Sequence, residues 1–186
     1  DSLSNTMDKI ILGGGIANTC IAAMGYEVGT SLVEESMLPE AKKLLDNPKI
    51  IIPKEVLVSE NPDKPGRITS VDSISKNEAI FDISPSSLID LEPFIKNAGT
   101  ILWNGPMGFF EKENFDKGTM GIANMIISSK GFSVAGGGDT ISAADKAGIL
   151  GELGYVSTAG GAFLEYMEGK KLPALEALEN KLTTGE

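Results

Sequence analysis

The chain contains no histidine and a single cysteine, Cys20, among its 186 residues. The lack of histidine excludes catalytic triads with an imidazole base and metal sites with histidine ligands from this chain. One cysteine can form neither an intrachain disulfide nor a cysteine-cluster zinc site. These absences favour a reducing, cytoplasmic setting and a function that needs no imidazole.

Basic residues are also scarce, since Arg67 is the only arginine and Lys plus Arg number 16 against 26 Asp plus Glu. The net charge of −10 argues against binding to nucleic acid or to an anionic membrane, which both rely on basic patches. It does not exclude a small phosphate ligand, because backbone amides at a helix start bind anions without any cationic side chain.

Long hydrophobic runs and targeting signals are missing as well. No apolar stretch approaches the length needed to span a bilayer, and the first four residues lack the basic and apolar regions of a signal peptide. Because no initiator methionine is present either, we expect a fragment or a processed product. The length and the ordinary apolar fraction of 41% predict one globular domain over residues 1–186.

Short apolar runs alternate with helix-like stretches along the chain. Runs buried on both faces are typical of parallel strands, and this alternation predicts a Rossmann-like, doubly wound α/β fold with a mostly parallel sheet and helices on both faces. A proline-rich stretch at residues 60–70 is interpreted as an exposed excursion. The predicted strands are Lys9–Leu12, Lys49–Ile52, Thr100–Trp103 and Phe132–Ala135, with weaker ones at Ala79–Asp82 and Tyr155–Ser157.

Four glycine-rich turns follow predicted strands, at residues 13–15, 104–108, 136–140 and 158–162. Because the carboxyl ends of parallel strands line one crevice, we expect all four turns to face the same edge of the sheet. Glycine allows the main chain to approach a ligand closely, and a helix that starts after the turn directs free N–H groups at it. Each turn taken alone is equally compatible with a simple tight connection.

The spacing of these glycines does not fit the common nucleotide motifs. A dinucleotide fingerprint that starts at Gly13 would require glycine at position 18, which is Asn18. No phosphate-binding loop with a Gly-Lys-Ser/Thr ending is present either. These two absences weaken NAD-binding and Walker-type interpretations.

Asp139 and Thr140 stand where the third turn enters a helix, and two interpretations are open. One of them acts only as an N-cap, which is a common role for both residue types. Alternatively, the Asp139 carboxylate binds Mg²⁺, the cation that usually lies between a carboxylate and a phosphate, while the Thr140 hydroxyl donates to the phosphate.

The segment from Asn104 to Glu111 combines a proline-stiffened turn with two phenylalanines and a carboxylate. Phe109 and Phe110 could wall an apolar pocket, and Glu111 could accept hydrogen bonds from ribose hydroxyls. The alternative is a solvent-exposed Glu111 beside two phenylalanines in the core.

Taken together, these motifs are similar to the C-terminal, nucleotide-binding domain of the phosphoglycerate kinase family. The resemblance covers nearly the whole chain, in the order of the family. Its segments are Ile11-Leu-Gly-Gly-Gly-Ile-Ala17, Val28-Gly-Thr-Ser-Leu32, Trp103-Asn-Gly-Pro-Met-Gly-Phe-Phe-Glu111, Gly136-Gly-Gly-Asp-Thr140 and Val156-Ser-Thr-Ala-Gly-Gly-Ala162.

The resemblance implies phosphoryl transfer between 1,3-bisphosphoglycerate and ADP, a step of glycolysis, with ADP or ATP as substrate and Mg²⁺ as cofactor. It assigns Asp139 to the metal, and Gly137 and Gly138 to amides that face the transferred phosphoryl group. The other implied nucleotide contacts are Gly14, Gly15, Leu32 and Phe81 at the adenine, Pro106 and Glu111 at the ribose, and Asn104 and Thr140 at the phosphates.

Some features of the family pattern are absent. A Gly-Gly-Ala-Lys segment that supplies lysines to the phosphates is missing, as is the N-terminal domain that binds 3-phosphoglycerate or 1,3-bisphosphoglycerate. Ser84, Tyr155 and Ala159 replace residues more common in the family. We therefore expect the nucleotide half alone, inactive without its partner domain.

Two other classes of function remain at this stage. The first is a non-catalytic module that binds an adenine nucleotide, which differs from a kinase half only in lacking a partner domain. The second is an NAD- or SAM-dependent Rossmann enzyme, which predicts an acidic residue at the end of the second strand, where this chain has Ile51-Ile52-Pro53.

Overall fold

The computed structural model describes residues 2–167 and 169–184, and within them helices and strands alternate as the sequence predicts. The strands in these ranges are β1 Ile10–Ile11, β2 Ile50–Ile51, β3 Glu55–Ser59, β4 Arg67–Ser70, β5 Ala79–Ile83, β6 Thr100–Trp103, β7 Phe132–Gly136 and β8 Tyr155–Ser157. The α-helices in the same ranges are α1 Ser2–Thr6, α2 Gly14–Ala23, α3 Leu38–Leu45, α4 Pro85–Lys96, α5 Lys117–Ser128, α6 Gly138–Lys146, α7 Gly161–Met167 and α8 Pro173–Thr184.

Five of the described strands lie in parallel sheets. β1 pairs with β2, so that Ile10 lies beside Ile50, and β7 pairs with β6 on one side and with β8 on the other. Helices flank these sheets, with α2 packed against α3 and α4 packed against α5. The Rossmann-like α/β fold with a mostly parallel sheet is therefore confirmed.

The third sheet is antiparallel, with strand order β4-β3-β5. The prediction that residues 60–70 form only an excursion was wrong at its end, because Arg67–Ser70 is strand β4. β3 was missed, and β5 pairs with β3 instead of joining the parallel strands. The short connection from β3 to β4 favours antiparallel neighbours, because parallel pairing requires a crossover of a dozen or more residues.

The main core lies between the β6-β7-β8 sheet and its helices. It contains Trp103 and Met107 beside the end of β6, Ile122 and Ile126 from α5, and Ala135 from β7. A second cluster, made of Leu12, Ala17, Cys20 and Ala41, joins β1 to α2 and α3. Both clusters lie directly behind glycine-rich turns, so the turns rest on packed side chains.

Helix α4 shows why one departure from the family pattern causes no strain. Ser84 is its N-cap and accepts a hydrogen bond from the Ser87 amide, and Pro85 occupies the first helical position. The φ of Ser84 is −76°, an angle that needs no glycine. Serine is among the preferred N-cap residues, so the substitution suits the helix start.

None of the helices in the described ranges combines the length and the apolar character that a membrane span requires.

Candidate functional site

Hydrogen bonds join the glycine-rich turns at one edge of the fold. The Gly14 amide donates to the Met107 carbonyl at 3.1 Å, which links the turn after β1 to the turn after β6. The Asn104 side-chain amide donates to the Gly136 carbonyl at 2.6 Å, which links the turns after β6 and β7. Gly136 also lies against Phe163 of α7, since a Cβ there would stand 2.3 Å from the ring. The expected convergence is therefore observed for the turns after β1, β6 and β7, and the fourth turn follows Ser157, which pairs with Gly136.

The loop at residues 104–111 is held along its whole length. The Gly105 and Met107 amides donate to the hydroxyls of Thr140 and Thr119, at 2.7 and 3.0 Å. The Phe109 amide donates to the Phe81 carbonyl at 2.7 Å, and the Phe110 carbonyl accepts from Lys146 at 2.5 Å. A loop fixed by this many long-range bonds presents its remaining groups in a set position.

Gly14, Gly15, Leu32 and Pro106, which the resemblance places near the base and ribose, lie close together. A Cβ on Gly15 would stand 3.3 Å from the Leu32 side chain, and one on Gly14 would stand 3.7 Å from the Pro106 carbonyl. Leu32 is 78% exposed, so an apolar side chain borders the turn and faces solvent. An exposed leucine beside two glycines is suited to one face of a flat apolar ligand.

An ion pair supports the segment at residues 25–32, which carries Leu32. Arg67 binds Glu78 through two nitrogens, at 2.6 and 2.5 Å, and the Glu78 carbonyl accepts from the Thr30 amide at 2.8 Å. The hydrogen bonds from Arg67 are the main reason why the pKa of Glu78 falls to about 2. The chain's one arginine is thus engaged in structure.

The phenylalanines around the 104–111 loop have two roles. Phe110 is buried in the main core, as the alternative interpretation of the segment proposed. Phe109 is half-buried and stacks on Phe81 with ring centroids 6.1 Å apart, and Phe81 also contacts Phe115 at 4.8 Å. Phe81, a predicted adenine contact, therefore belongs to an aromatic cluster that backs the loop.

At the start of α6 the structure excludes the capping interpretation. The N-cap is Gly137, with φ of +97°, and no side chain caps the helix. Asp139 is exposed in the first turn, whereas Thr140 is 1% exposed and its hydroxyl accepts from Gly105. The Asp139 carboxylate therefore faces solvent beside the free amides of a helix start.

Asn104 and Glu111 occupy the two ends of the loop. Both are exposed, but the Asn104 amide is already bonded to Gly136, so it ties two turns together whatever else it contacts. A Cβ on Gly137 would stand 3.1 Å from the same amide nitrogen, which accounts for glycine there together with its positive φ.

The residues fit a metal that arrives with a phosphate better than a preformed metal site. No group of three or more acidic or cysteine side chains with metal-binding spacing occurs in the described ranges. Mg²⁺ is commonly held by one or two carboxylates together with phosphate oxygens and water. Asp139 offers one exposed carboxylate, which suits a Mg²⁺ ion held partly by phosphate oxygens.

Sequence reasoning assigned no contact with this loop or its supporting helices to Thr119, Lys146 or Asp82. Thr119 and Lys146 hold the loop from α5 and α6, and Lys146 also pairs with Asp116 at 3.0 Å. Asp82 is 1% exposed at the end of β5, where its Oδ2 accepts from the Gly118 amide at 2.7 Å. A carboxylate inside an apolar strand pattern was the one signal that could have identified Asp82.

Comparison with known proteins agrees with this arrangement. A family profile described as phosphoglycerate kinase matches residues 1–170. The phosphoglycerate kinase of Vibrio campbellii (strain ATCC BAA-1116) is 50% identical over 181 residues, which are 96% of this chain and 47% of that protein. The structure of phosphoglycerate kinase from Coxiella burnetii matches with a TM-score of 0.92 at 40% identity, covering 97% of this chain and 48% of that one.

A more distant solved structure, phosphoglycerate kinase from Pyrococcus horikoshii OT3, matches with a TM-score of 0.81 at 30% identity over 96% of this chain and 48% of its own. The chain spans about half the length of the relatives it matches. The profile match runs through all four glycine-rich turns and the loop between Asn104 and Glu111. This chain belongs to the phosphoglycerate kinase family.

Proposed function

We propose that the chain binds Mg²⁺-ADP or Mg²⁺-ATP as the nucleotide half of a phosphoglycerate kinase. In that role it serves phosphoryl transfer between 1,3-bisphosphoglycerate and ADP in cytoplasmic glycolysis, and a phosphoglycerate-binding domain supplies the second substrate. The adenine would lie by Gly14, Gly15, Leu32 and Phe81, and the ribose by Pro106 and Glu111. Asn104, Thr140 and the amides of Gly137 and Gly138 would face the phosphates, with Asp139 on the metal.

The observation that carries this proposal is the glycine at position 138. Its φ lies outside the left-handed region, and nothing lies within 4 Å of a Cβ built there. Neither backbone geometry nor packing therefore requires glycine at the first position of α6. Close approach of a ligand to the main chain would account for glycine here, because Gly138 opens α6 beside the exposed Asp139, as at other phosphate-binding helix starts.

The chemistry assigned to these residues is positioning and charge stabilisation. Phosphoryl transfer asks the protein to hold the nucleotide in line and to offset charge on the transferred oxygens. Mg²⁺, when bound, neutralises part of the phosphate charge. The α6 amides offer fixed donors beside the Asp139 carboxylate, and the bonds from Thr119, Thr140 and Lys146 hold the facing loop.

Replacing the Asp139 carboxylate tests its role in metal binding. We expect Asp139→Ala to weaken Mg²⁺-ADP binding roughly tenfold, equivalent to about 1.4 kcal/mol, and to leave binding of ADP in EDTA nearly unchanged. Because Gly137 caps α6, unfolding stability should change by no more than about 1 kcal/mol. Titration calorimetry with and without Mg²⁺, beside thermal unfolding, measures both quantities.

The matched control is Asp145→Ala, because Asp145 is exposed on the same helix and lies at its opposite end. It should leave both affinities unchanged. Equal weakening of ADP binding with and without Mg²⁺ in Asp139→Ala would remove Asp139 from the metal site.

The Gly138→Ala variant distinguishes an effect on ligand binding from an effect on folding. Gly138→Ala should leave the free energy of unfolding unchanged or raise it by about 0.5–1 kcal/mol, because alanine favours a helix over glycine. The same change should weaken Mg²⁺-ADP binding by roughly tenfold or more, about 1.4 kcal/mol, because the methyl lies where the phosphate would approach.

Gly151→Ala is the control, since a Cβ on Gly151 also has no neighbour within 4 Å and its φ is not positive. Its affinity for Mg²⁺-ADP should match that of the unchanged chain. An unaltered affinity in Gly138→Ala would contradict the proposed phosphate position.

A further inference from the structure

Asp82 carries a carboxylate that the proposed nucleotide contacts do not use. It is 1% exposed, and its Oδ2 accepts the Gly118 amide of the first α5 turn at 2.7 Å. Its Oδ1 is buried and has no hydrogen-bond partner within the described part of the chain. A buried carboxylate oxygen without a donor is costly, so its presence needs an explanation.

Two glycines make room for this carboxylate. A Cβ on Gly108, in the 104–111 loop, would stand 2.4 Å from Asp82 Oδ1, and one on Gly118 would stand 2.1 Å from the same atom. Neither glycine has a positive φ. The close approach of the Asp82 oxygen therefore accounts for glycine at both positions, one in the loop and one in α5.

The neighbours of Asp82 extend this contact into the site. The preceding residue, Phe81, accepts the Phe109 amide of the loop through its carbonyl. The residue after Gly118, Thr119, accepts the Met107 amide at 3.0 Å through its hydroxyl. Asp82 thus lies where β5, the first turn of α5 and the 104–111 loop meet.

We propose that Asp82 is a positioning residue for the 104–111 loop, which its carboxylate holds in place through the first turn of α5 and the contact with Gly108. This role deepens the proposed function, because the loop carries the residues assigned to the ribose. It also predicts that the protonation of Asp82 changes the position of the loop.

The surroundings of Asp82 place its titration in an accessible range. Burial raises its pKa to about 7, against the lowering effect of the Gly118 and Ile83 amides, and Asp116 raises it further. Asp116 itself pairs with Lys146 of α6, and Glu113 and Lys117 line the cavity beside Asp82 with exposed side chains. The ionised carboxylate accepts the Gly118 amide more strongly than the neutral acid does.

The only tryptophan reports directly on the loop. Trp103 is 5% exposed, and its indole nitrogen donates to the Gly105 carbonyl at 2.9 Å. We expect its emission to change in a single transition near pH 7 when the unliganded chain is titrated between pH 5.5 and 8.5. Asp82→Asn, which keeps an acceptor and cannot ionise, should remove the transition, and Asp90→Asn, on the exposed side of α4, should retain it.

Gly118→Ala provides a second variant, because its methyl would displace Oδ1 without removing the acid. Its emission should differ from that of the unchanged chain at pH 8. Emission that stays constant across the titration in the unchanged chain, or a transition that persists in Asp82→Asn, would overturn the proposal. If Asp82→Asn loses its native circular dichroism, unaltered emission and titration in Gly118→Ala would overturn it.

The affinity for adenosine tests whether the position of the loop affects ligand binding. Adenosine is suitable because it has no group that titrates in this pH range. Its affinity should rise about fivefold from pH 6 to pH 8 in the unchanged chain and stay level in Asp82→Asn. If adenosine fails to bind at either pH, the proposed nucleotide site is wrong, while the tryptophan titration still decides the role of Asp82. Binding with the same pH-independent affinity in both proteins contradicts the positioning role alone.

Discussion

The chain on its own is expected to show phosphoglycerate kinase activity at least about 10³-fold below that of a full-length family member. In-line transfer requires donor and acceptor held a few ångströms apart, and loss of that positioning, together with charge stabilisation, accounts for factors of this size. No lysine or arginine occurs in the turns at residues 103–111 and 136–140. The nearby cations are engaged, because Lys146 binds Asp116 and Phe110, and Arg67 binds Glu78.

A coupled assay that follows ATP formation from 1,3-bisphosphoglycerate measures this difference. The comparison enzyme is a full-length phosphoglycerate kinase assayed at equal molar concentration, and Gly138→Ala serves to identify contaminating activity. Activity within about tenfold of the full-length enzyme, surviving further purification and lost in Gly138→Ala, would show that the chain is catalytically sufficient.

Gly29→Ala is expected to cause a larger loss of stability than Gly25→Ala, the other glycine substitution in the segment at residues 25–32. Gly29 has φ of +57°, and a Cβ there would stand 2.0 Å from the Glu78 carbonyl oxygen and 2.5 Å from that of Ser75. Strain in the left-handed region and overpacking against backbone together predict a loss of about 2–5 kcal/mol. The melting temperature should fall by roughly 5–15 °C.

Gly25→Ala is the matched control, since Gly25 has φ of +88° and no atom lies within 4 Å of a Cβ built there. It tests backbone strain alone, with an expected loss of about 1–2 kcal/mol. Chemical denaturation of both variants measures the difference. Equal losses would show that the contact between Gly29 and the Glu78 segment contributes nothing beyond its backbone angle.

The position of Leu32 should also depend on Gly29. The Thr30 amide donates to the Glu78 carbonyl, and the Ser31 hydroxyl accepts the Ile80 amide at 2.9 Å, so the segment is fixed on β5 and the turn before it. A displaced Gly29 moves both anchors, and Leu32 follows them directly in the chain. Adenine binding is therefore expected to weaken together with stability in Gly29→Ala and to change little in Gly25→Ala.

Much of the fold and of the candidate site could be predicted from local sequence patterns. Apolar runs identified the parallel strands, and glycine clusters at their ends predicted one shared edge, because parallel strands all end on the same side. The antiparallel sheet was missed because β3 follows Pro53 and Lys54 directly, and the connection from β3 to β4 contains Pro65 and Gly66. Strands in such surroundings are defined by their partners more than by their own pattern.

The assignment of individual side chains depended more strongly on distant parts of the chain. Thr140 and Asn104 were both predicted to approach phosphates, and the structure shows each bonded to another turn, at Gly105 and Gly136. The N-cap interpretation of Asp139 and Thr140 was open from the sequence, and Gly137 occupies that position instead. Local spacing cannot distinguish a hydroxyl that caps its own helix from one that reaches a neighbouring loop.

By itself, the sequence determined the class of fold, the order of its motifs and the acidic surface, because these depend on periodicity, composition and residue identity. Only the tertiary structure decided that Asp82 is buried between Gly108 and Gly118, and that Lys146 binds the Phe110 carbonyl. These contacts join residues that are 26 to 36 positions apart along the chain and lie on separate elements. Such pairings arise from the packing of whole helices and strands, which no local pattern records.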